Sequence, residues 1–288
     1  MSVSIVTACK NRTKALSISA ASWVQFDEVD EVIVTDWNSD EPVNHLTRLS
    51  KKIKIITVKN ERYFNQPQPL NLAASLVKTD EILKLDCDHV LNPYYNFFDL
   101  HKIGRDDFVS GCNGVDMRGM DAYFLCPIWG LLYVKSEIFK SVGGYDENFG
   151  KYYAVEDDEL CMRLIAYGLN PRSIDIHKLS VLHIAHTDKD RVKNFKSFEN
   201  VNTVLTQSRK DLQGDILYNY MAELSRNKNK QDKSILHKMM QMFEEYETLG
   251  QLSEESLKMI SNIDFYCEPV YKWKITQLSD QLYEAVKI

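Results

Sequence analysis

Asp86-Cys87-Asp88 closes the apolar run Ile82-Leu83-Lys84-Leu85. Two carboxylates at a strand end can hold a divalent metal against a diphosphate. Hard cations take oxygen ligands and are often bound by one or two carboxylates plus substrate phosphates. The triplet alone also fits an ordinary strand end, so its surroundings must decide. A second acidic group, Glu156-Asp157-Asp158-Glu159, precedes Leu160, Leu164 and Tyr167 at helical spacing, with Gly168 as a stop. Carboxylates favour the first turn of a helix, where the macrodipole keeps them ionised. Two would suffice for that. Four in a row repel one another, which points to chemistry, and Asp157 suits a general base that takes the proton of a hydroxyl nucleophile. His183 and His186 flank Ile184-Ala185 after Val181-Leu182. Each alone fits a buried structural histidine. An imidazole that joined the carboxylates at a metal would move the preference from Mg²⁺ towards Mn²⁺.

These residues need elements to position them. Val3–Thr7, Glu31–Thr35, Ile53–Val58 and Ile82–Leu85 read as strands. Between them, 12–24 and 69–77 read as helices, with Leu16, Ala20, Trp23 and Val24 on one face and Leu70, Ala73, Ala74 and Val77 on the other helix's face. Strands alternating with helices imply a largely parallel sheet, whose ligands bind beyond the carboxyl ends of the strands. The polar clusters Thr7 to Arg12, Asp36 to Asp40 and Asp86 to His89 each follow a strand and should gather along one edge. Residues 104–190 read as irregular. Glycine and proline become rare after about residue 195, and Ile235, Met239, Met242 and Tyr246 share a helical face. The chain therefore divides into an α/β domain over 1–211 and an α-helical extension over 212–288.

Composition narrows the function classes. Hydrophobic residues at 44% and charged residues at 26% describe a soluble globular chain. A net charge of −6 argues against nucleic acid as a partner. Met1 to Val6 lacks the basic region and long apolar stretch of a signal peptide. Six scattered cysteines without a Cys-x-x-Cys pair fit a reduced, cytoplasmic protein.

Ser4 to Arg12, the Asp36 cluster, Asn71 and Asp86-Cys87-Asp88 together resemble GT-A-fold glycosyltransferases of the family 2 type. Gly130 to Arg163, with Gly143-Gly144-Tyr145-Asp146-Glu147 and Glu156-Asp157-Asp158, resembles the C-terminal segment of β-1,4-galactosyltransferases and chondroitin-type polymerases. The resemblance implies a Rossmann-like GT-A fold, a mostly parallel sheet flanked by helices. It implies that Thr7, Ala8, Asn11, Arg12, Asp36, Asn71 and Asp86 hold a UDP-sugar. It further implies that Asp88, His186 and His183 bind Mn²⁺ or Mg²⁺, that Asp157 is the base, and that Glu156, Asp158 and Tyr153 hold the acceptor. Trp129 fits a sugar platform and a core position equally. Where the galactosyltransferases carry Trp-Gly-Gly, this chain has Tyr153-Ala154-Val155.

The expected activity is metal-dependent transfer of a galactose- or N-acetylgalactosamine-type sugar from UDP to a glycan or lipid-linked glycan hydroxyl, with inversion, in polysaccharide biosynthesis. A retaining transferase on the same fold and a non-catalytic nucleotide- or glycan-binding module stay open. The helical extension should pack on the catalytic domain or on a second copy, with weak peripheral membrane contact, because its lysines alternate with acidic residues.

Overall fold

Nearly every residue of the first two strands is buried, and the fold explains why. The computed structural model describes residues 2–111, 113–117, 123–128, 130–147, 156–174, 178–186, 194 and 272–288. Strands β1 (Val3–Cys9), β2 (Val29–Trp37), β3 (Ile53–Val58) and β4 (Glu81–Lys84) lie side by side in parallel. Helices cover both faces of this sheet, so both sets of alternating side chains are buried. Val3, Ile5, Val32, Val34, Ile53 and Ile55 pack with helices α1 (Thr13–Trp23) and α3 (Phe97–Leu100). Val6, Ile33, Trp37, Ile56 and Val58 pack on the opposite side with α2 (Pro67–Ser75), α4 (Ser136–Ser141) and α5 (Glu156–Ala166). The predicted faces of α1 and α2 are the buried ones: Leu16, Ala20 and Trp23 on the first, Leu70, Ala73 and Ala74 on the second.

Residues 104–190 are more regular than expected. They contribute β6 (Asp107–Ser110), β7 (Asn113–Met117), β8 (Tyr123–Pro127), β9 (Leu132–Lys135), β10 (Asn170–Ser173) and β11 (Val181–Ile184). Strands of four or five residues are too short to show a period. Strand β9 runs antiparallel between β4 and β6, and β6 pairs with β10. A second, four-stranded sheet has the order β5-β11-β7-β8, where β5 is His89–Leu91.

The end of the chain corrects an expectation. Trp273–Gln277 (β12) and Leu282–Lys287 (β13) are strands, not helix. They form a hairpin, and β13 joins the main sheet parallel to β3. The signal was present: Trp273, Ile275, Tyr283 and Ala285 alternate with exposed or polar residues, a period of two. These four side chains pack on the core that holds α2. The predicted helices over 212–271 lie outside the described residues.

Candidate functional site

The loops after β1, β2 and β3 are tied together at one sheet edge. Lys10 is buried, and its ammonium donates to the carbonyls of Trp37 (3.0 Å), Asn38 (3.1 Å) and Glu61 (2.9 Å). All three of its donors are engaged within the protein. Asn11 turns the chain with a φ of 58°, its N–H donating to Ser39 Oγ at 3.0 Å and its side-chain carbonyl accepting from Asp40 N–H at 2.8 Å. Asp36 is buried, and its carboxylate oxygens accept the N–H groups of Ser39 (3.1 Å) and Val43 (3.2 Å). The carboxylate expected at the nucleotide therefore shapes its own loop. Thr7 is fully buried, and the Ala8 carbonyl accepts from the Cys87 thiol at 3.0 Å. The Asn71 amide is bonded to the backbone of Tyr145 in both directions, at 2.8 Å each way. It anchors the turn at Gly144, where φ is +68° and a Cβ would fall 2.5 Å from Asn71 Oδ1.

Asp88 is where the separate segments converge. Its carboxylate pairs with Arg12 and lies 3.1 Å from His186 Nε2 and 3.7 Å from His183 Nε2. The register explains this. Strand β11 pairs antiparallel with β5, His183 opposite His89, and the Ile184 N–H donates to the Asp88 carbonyl at 2.8 Å. Burial alone would raise the Asp88 carboxyl. The His186 hydrogen bond and the neighbouring histidine and Arg12 charges outweigh burial and hold it well below the usual carboxylate range. One Asp88 oxygen and the ring nitrogens of His183 and His186 lie within 4.8 Å of one another. One carboxylate and two imidazoles suit a divalent transition metal such as Mn²⁺ better than Mg²⁺. His89 is buried too, which lowers its pKa, and its Nδ1 accepts the Asp86 N–H at 3.3 Å.

Asp86 and Asp157 form a second centre around Lys84. The Lys84 ammonium lies 3.0 Å from Asp86 Oδ1, and 3.1 and 3.3 Å from the two oxygens of Asp157. Tyr145 donates its hydroxyl to Asp157 Oδ1 at 2.8 Å. Burial opposes the Lys84 charge, but Asp157, Asp86 and Glu156 together raise its pKa. Burial, then the Asp157 charge, pushes the Glu156 carboxyl up to about 8. Gly130 (φ +101°) lets backbone pass against Asp86, since a Cβ there would sit 2.4 Å from Asp86 Oδ2.

The structure thus brings Arg12, Asp88, His183 and His186 together, and Asp86 with Glu156 and Asp157. Tyr153 and Trp129 lie outside the described residues, as does the side chain of Asp158. Sequence reasoning missed Lys84 and Tyr145. The signal for Lys84 was a lysine inside an otherwise apolar strand, two residues before Asp86.

No family model and no curated protein matches the chain. Among solved structures it is similar to S. aureus TarS 1-349 in complex with UDP-GlcNAc, with a TM-score of 0.56 and 15% identity over 90% of this chain and 78% of that one. It is similar to the mannosyltransferase PcManGT from Pyrobaculum calidifontis in complex with GDP-Man and Mn²⁺, with a TM-score of 0.53 and 14% identity over 90% of this chain and 72% of that one. Against a longer TarS chain the TM-score is 0.54 at 13% identity over 84% of this chain, which spans 43% of that protein. At such identities the likeness defines the fold, and the fold is the GT-A type: a mostly parallel sheet flanked by helices.

Proposed function

We propose that this protein is a metal-dependent glycosyltransferase that moves a hexosyl or N-acetylhexosaminyl group from a UDP-sugar to a hydroxyl of a glycan acceptor. The observation that carries the reading is the convergence of Asp88, His183 and His186 beside Asp86 at the carboxyl edge of a GT-A sheet. A UDP-linked donor is favoured by the likeness to the TarS complex with UDP-GlcNAc, and a metal by the PcManGT complex with Mn²⁺. A galactose-type sugar follows from the resemblance of residues 130–163.

Asp88, His183 and His186 would hold the cation, which when bound supplies Lewis-acid stabilisation to the departing diphosphate. Asp86 faces the donor sugar. Asp157, at the first turn of α5, takes the proton from the acceptor hydroxyl. The freed oxygen pair forms the bond to the anomeric carbon as the bond to the diphosphate oxygen breaks, so the configuration inverts. The Lys84 and Tyr145 contacts keep Asp157 oriented for this role. The resemblance of residues 130–163 also assigns Glu156 and Asp158 to the acceptor.

The test is calorimetry with UDP and Mn²⁺ on the wild type and on Asp88→Asn. Binding of UDP that requires Mn²⁺ and disappears in the variant is expected. Equal affinity in both proteins would remove Asp88 from the metal site.

A further inference from the structure

Lys84 is an unusual choice of residue for its position. It lies in β4 on the same sheet face as Ile82, pairs with Val6 and Leu132 on the neighbouring strands, and is fully buried. Its strand neighbours Val6 and Leu132 belong to the same apolar core as Ile82, which an apolar side chain there would join. Replacing a buried ion pair by apolar groups of similar volume is often neutral or stabilising. Stability alone is therefore a weak reason for a lysine here.

Its partners supply a better one. The side chains of Asp86 and Asp157 are 38% and 26% exposed, whereas Lys84 beneath them is at 0%. The cation is closed off from solvent and the two carboxylates it grips are open to it. They come from different elements, one from the loop after β4 and the other from the first turn of α5. Apart from Lys84, the described contacts of Asp157 include only the Tyr145 hydroxyl at 2.8 Å, and Lys84 lies 5.9 Å from the Tyr145 ring centroid. Two partly exposed carboxylates that close together would repel each other without a cation between them.

We infer that Lys84 is a positioning residue. Its single ammonium fixes the donor-side carboxylate Asp86 and the acceptor-side base Asp157 relative to one another. Lys84 touches neither substrate; it acts through the two aspartates. The inference rests on the proposed function for the roles of Asp86 and Asp157, but the contacts themselves do not.

Lys84→Met tests it, by kcat and by melting, each measured alone and combined with Asp157→Asn. General-base catalysis contributes roughly 10²–10⁴-fold, so a fall in kcat of about 100-fold at neutral pH is expected. In the Asp157→Asn background the same Lys84→Met change should lower kcat by less than about twofold further, because the lysine acts through that carboxylate. A lysine that only filled space would lower kcat by the same factor in both backgrounds. In the melting cycle Asp157→Asn should recover part of the loss caused by Lys84→Met, since it removes the orphaned charge. Lys84→Gln, which keeps a hydrogen-bond donor but no charge, serves with the same expected fall in kcat if Lys84→Met does not fold. Turnover within about twofold of wild type, equal falls in kcat in both backgrounds, or strictly additive melting shifts would overturn the inference. Absence of transfer by the wild type would count against the proposed function instead, and the melting cycle would still decide whether Lys84 holds Asp157.

Discussion

Glu156 and Asp157 are neighbours in sequence and opposites in environment. Asp157 is held by a cation and a hydroxyl, while Glu156 is buried with its carboxyl pushed up to about 8. The sign of the consequence is fixed by linkage. A carboxyl whose folded pKa is raised binds its proton more tightly in the folded state. Its contribution to stability is complete below the unfolded value near 4.5 and is lost as pH rises through about 8. Wild type should thus lose stability relative to Glu156→Gln between pH 5 and about 8. Urea midpoints of both proteins across that range check this, and parallel curves would show that Glu156 titrates normally. The acidic run was legible in the sequence because four carboxylates repel. Which of them is buried was not, because burial follows from how α5 docks on the sheet.

The metal candidates depend on an element that contains none of them. Helix α1 buries Trp23 completely, and its indole N–H donates to the His89 carbonyl at 2.8 Å. His89 opens β5, which sets the register of β11 and hence the position of His183. Trp23→Ala should cost about 3–5 kcal/mol through the cavity it leaves. It should also weaken Mn²⁺-dependent UDP binding, although none of the candidate ligands lies on α1. Denaturant unfolding and calorimetry measure the two effects. Loss of stability with unchanged binding would show that β5 keeps its place without the helix. The apolar face of α1 was legible from its period. The hydrogen bond was not, because it joins residues 23 and 89 across the fold.

At the scale of the whole molecule, the last described residues complete the main sheet. The hairpin β12–β13 covers the β3 edge, and Trp273 meets Trp37 edge-to-face at a centroid separation of 5.5 Å. The Gln281 amide donates to the carbonyls of Ser50 (2.9 Å) and Ile53 (2.8 Å). Removing residues 272–288 would leave β3 as an unpaired edge, a template for association between chains. The truncated protein should melt lower and aggregate more readily, as light scattering during heating would record. A truncated chain as soluble and as stable as the full one would show that the hairpin is dispensable. No helix among the described residues is long and apolar enough to cross a membrane.

The sequence by itself determined the alternation of β1, α1, β2, β3, α2 and β4, because a strand or helix face is written in spacings of two or of three and four residues. It also marked Asp88, His183, His186 and Asp157 by type and by order along the chain. Only the tertiary structure decided what each of these touches. Asp36 and Asn71 were expected at a nucleotide, and the fold engages their polar atoms in a loop and a turn. Lys84 looked like an irregularity in an apolar strand until Asp157, 73 positions later, came within 3.1 Å of it. The strands at the chain's end were written with the right period but outweighed by the helical character of the residues before them. Periodicity reports which side of an element is buried. It says nothing of which other element does the burying, and that pairing places a cation beneath two carboxylates.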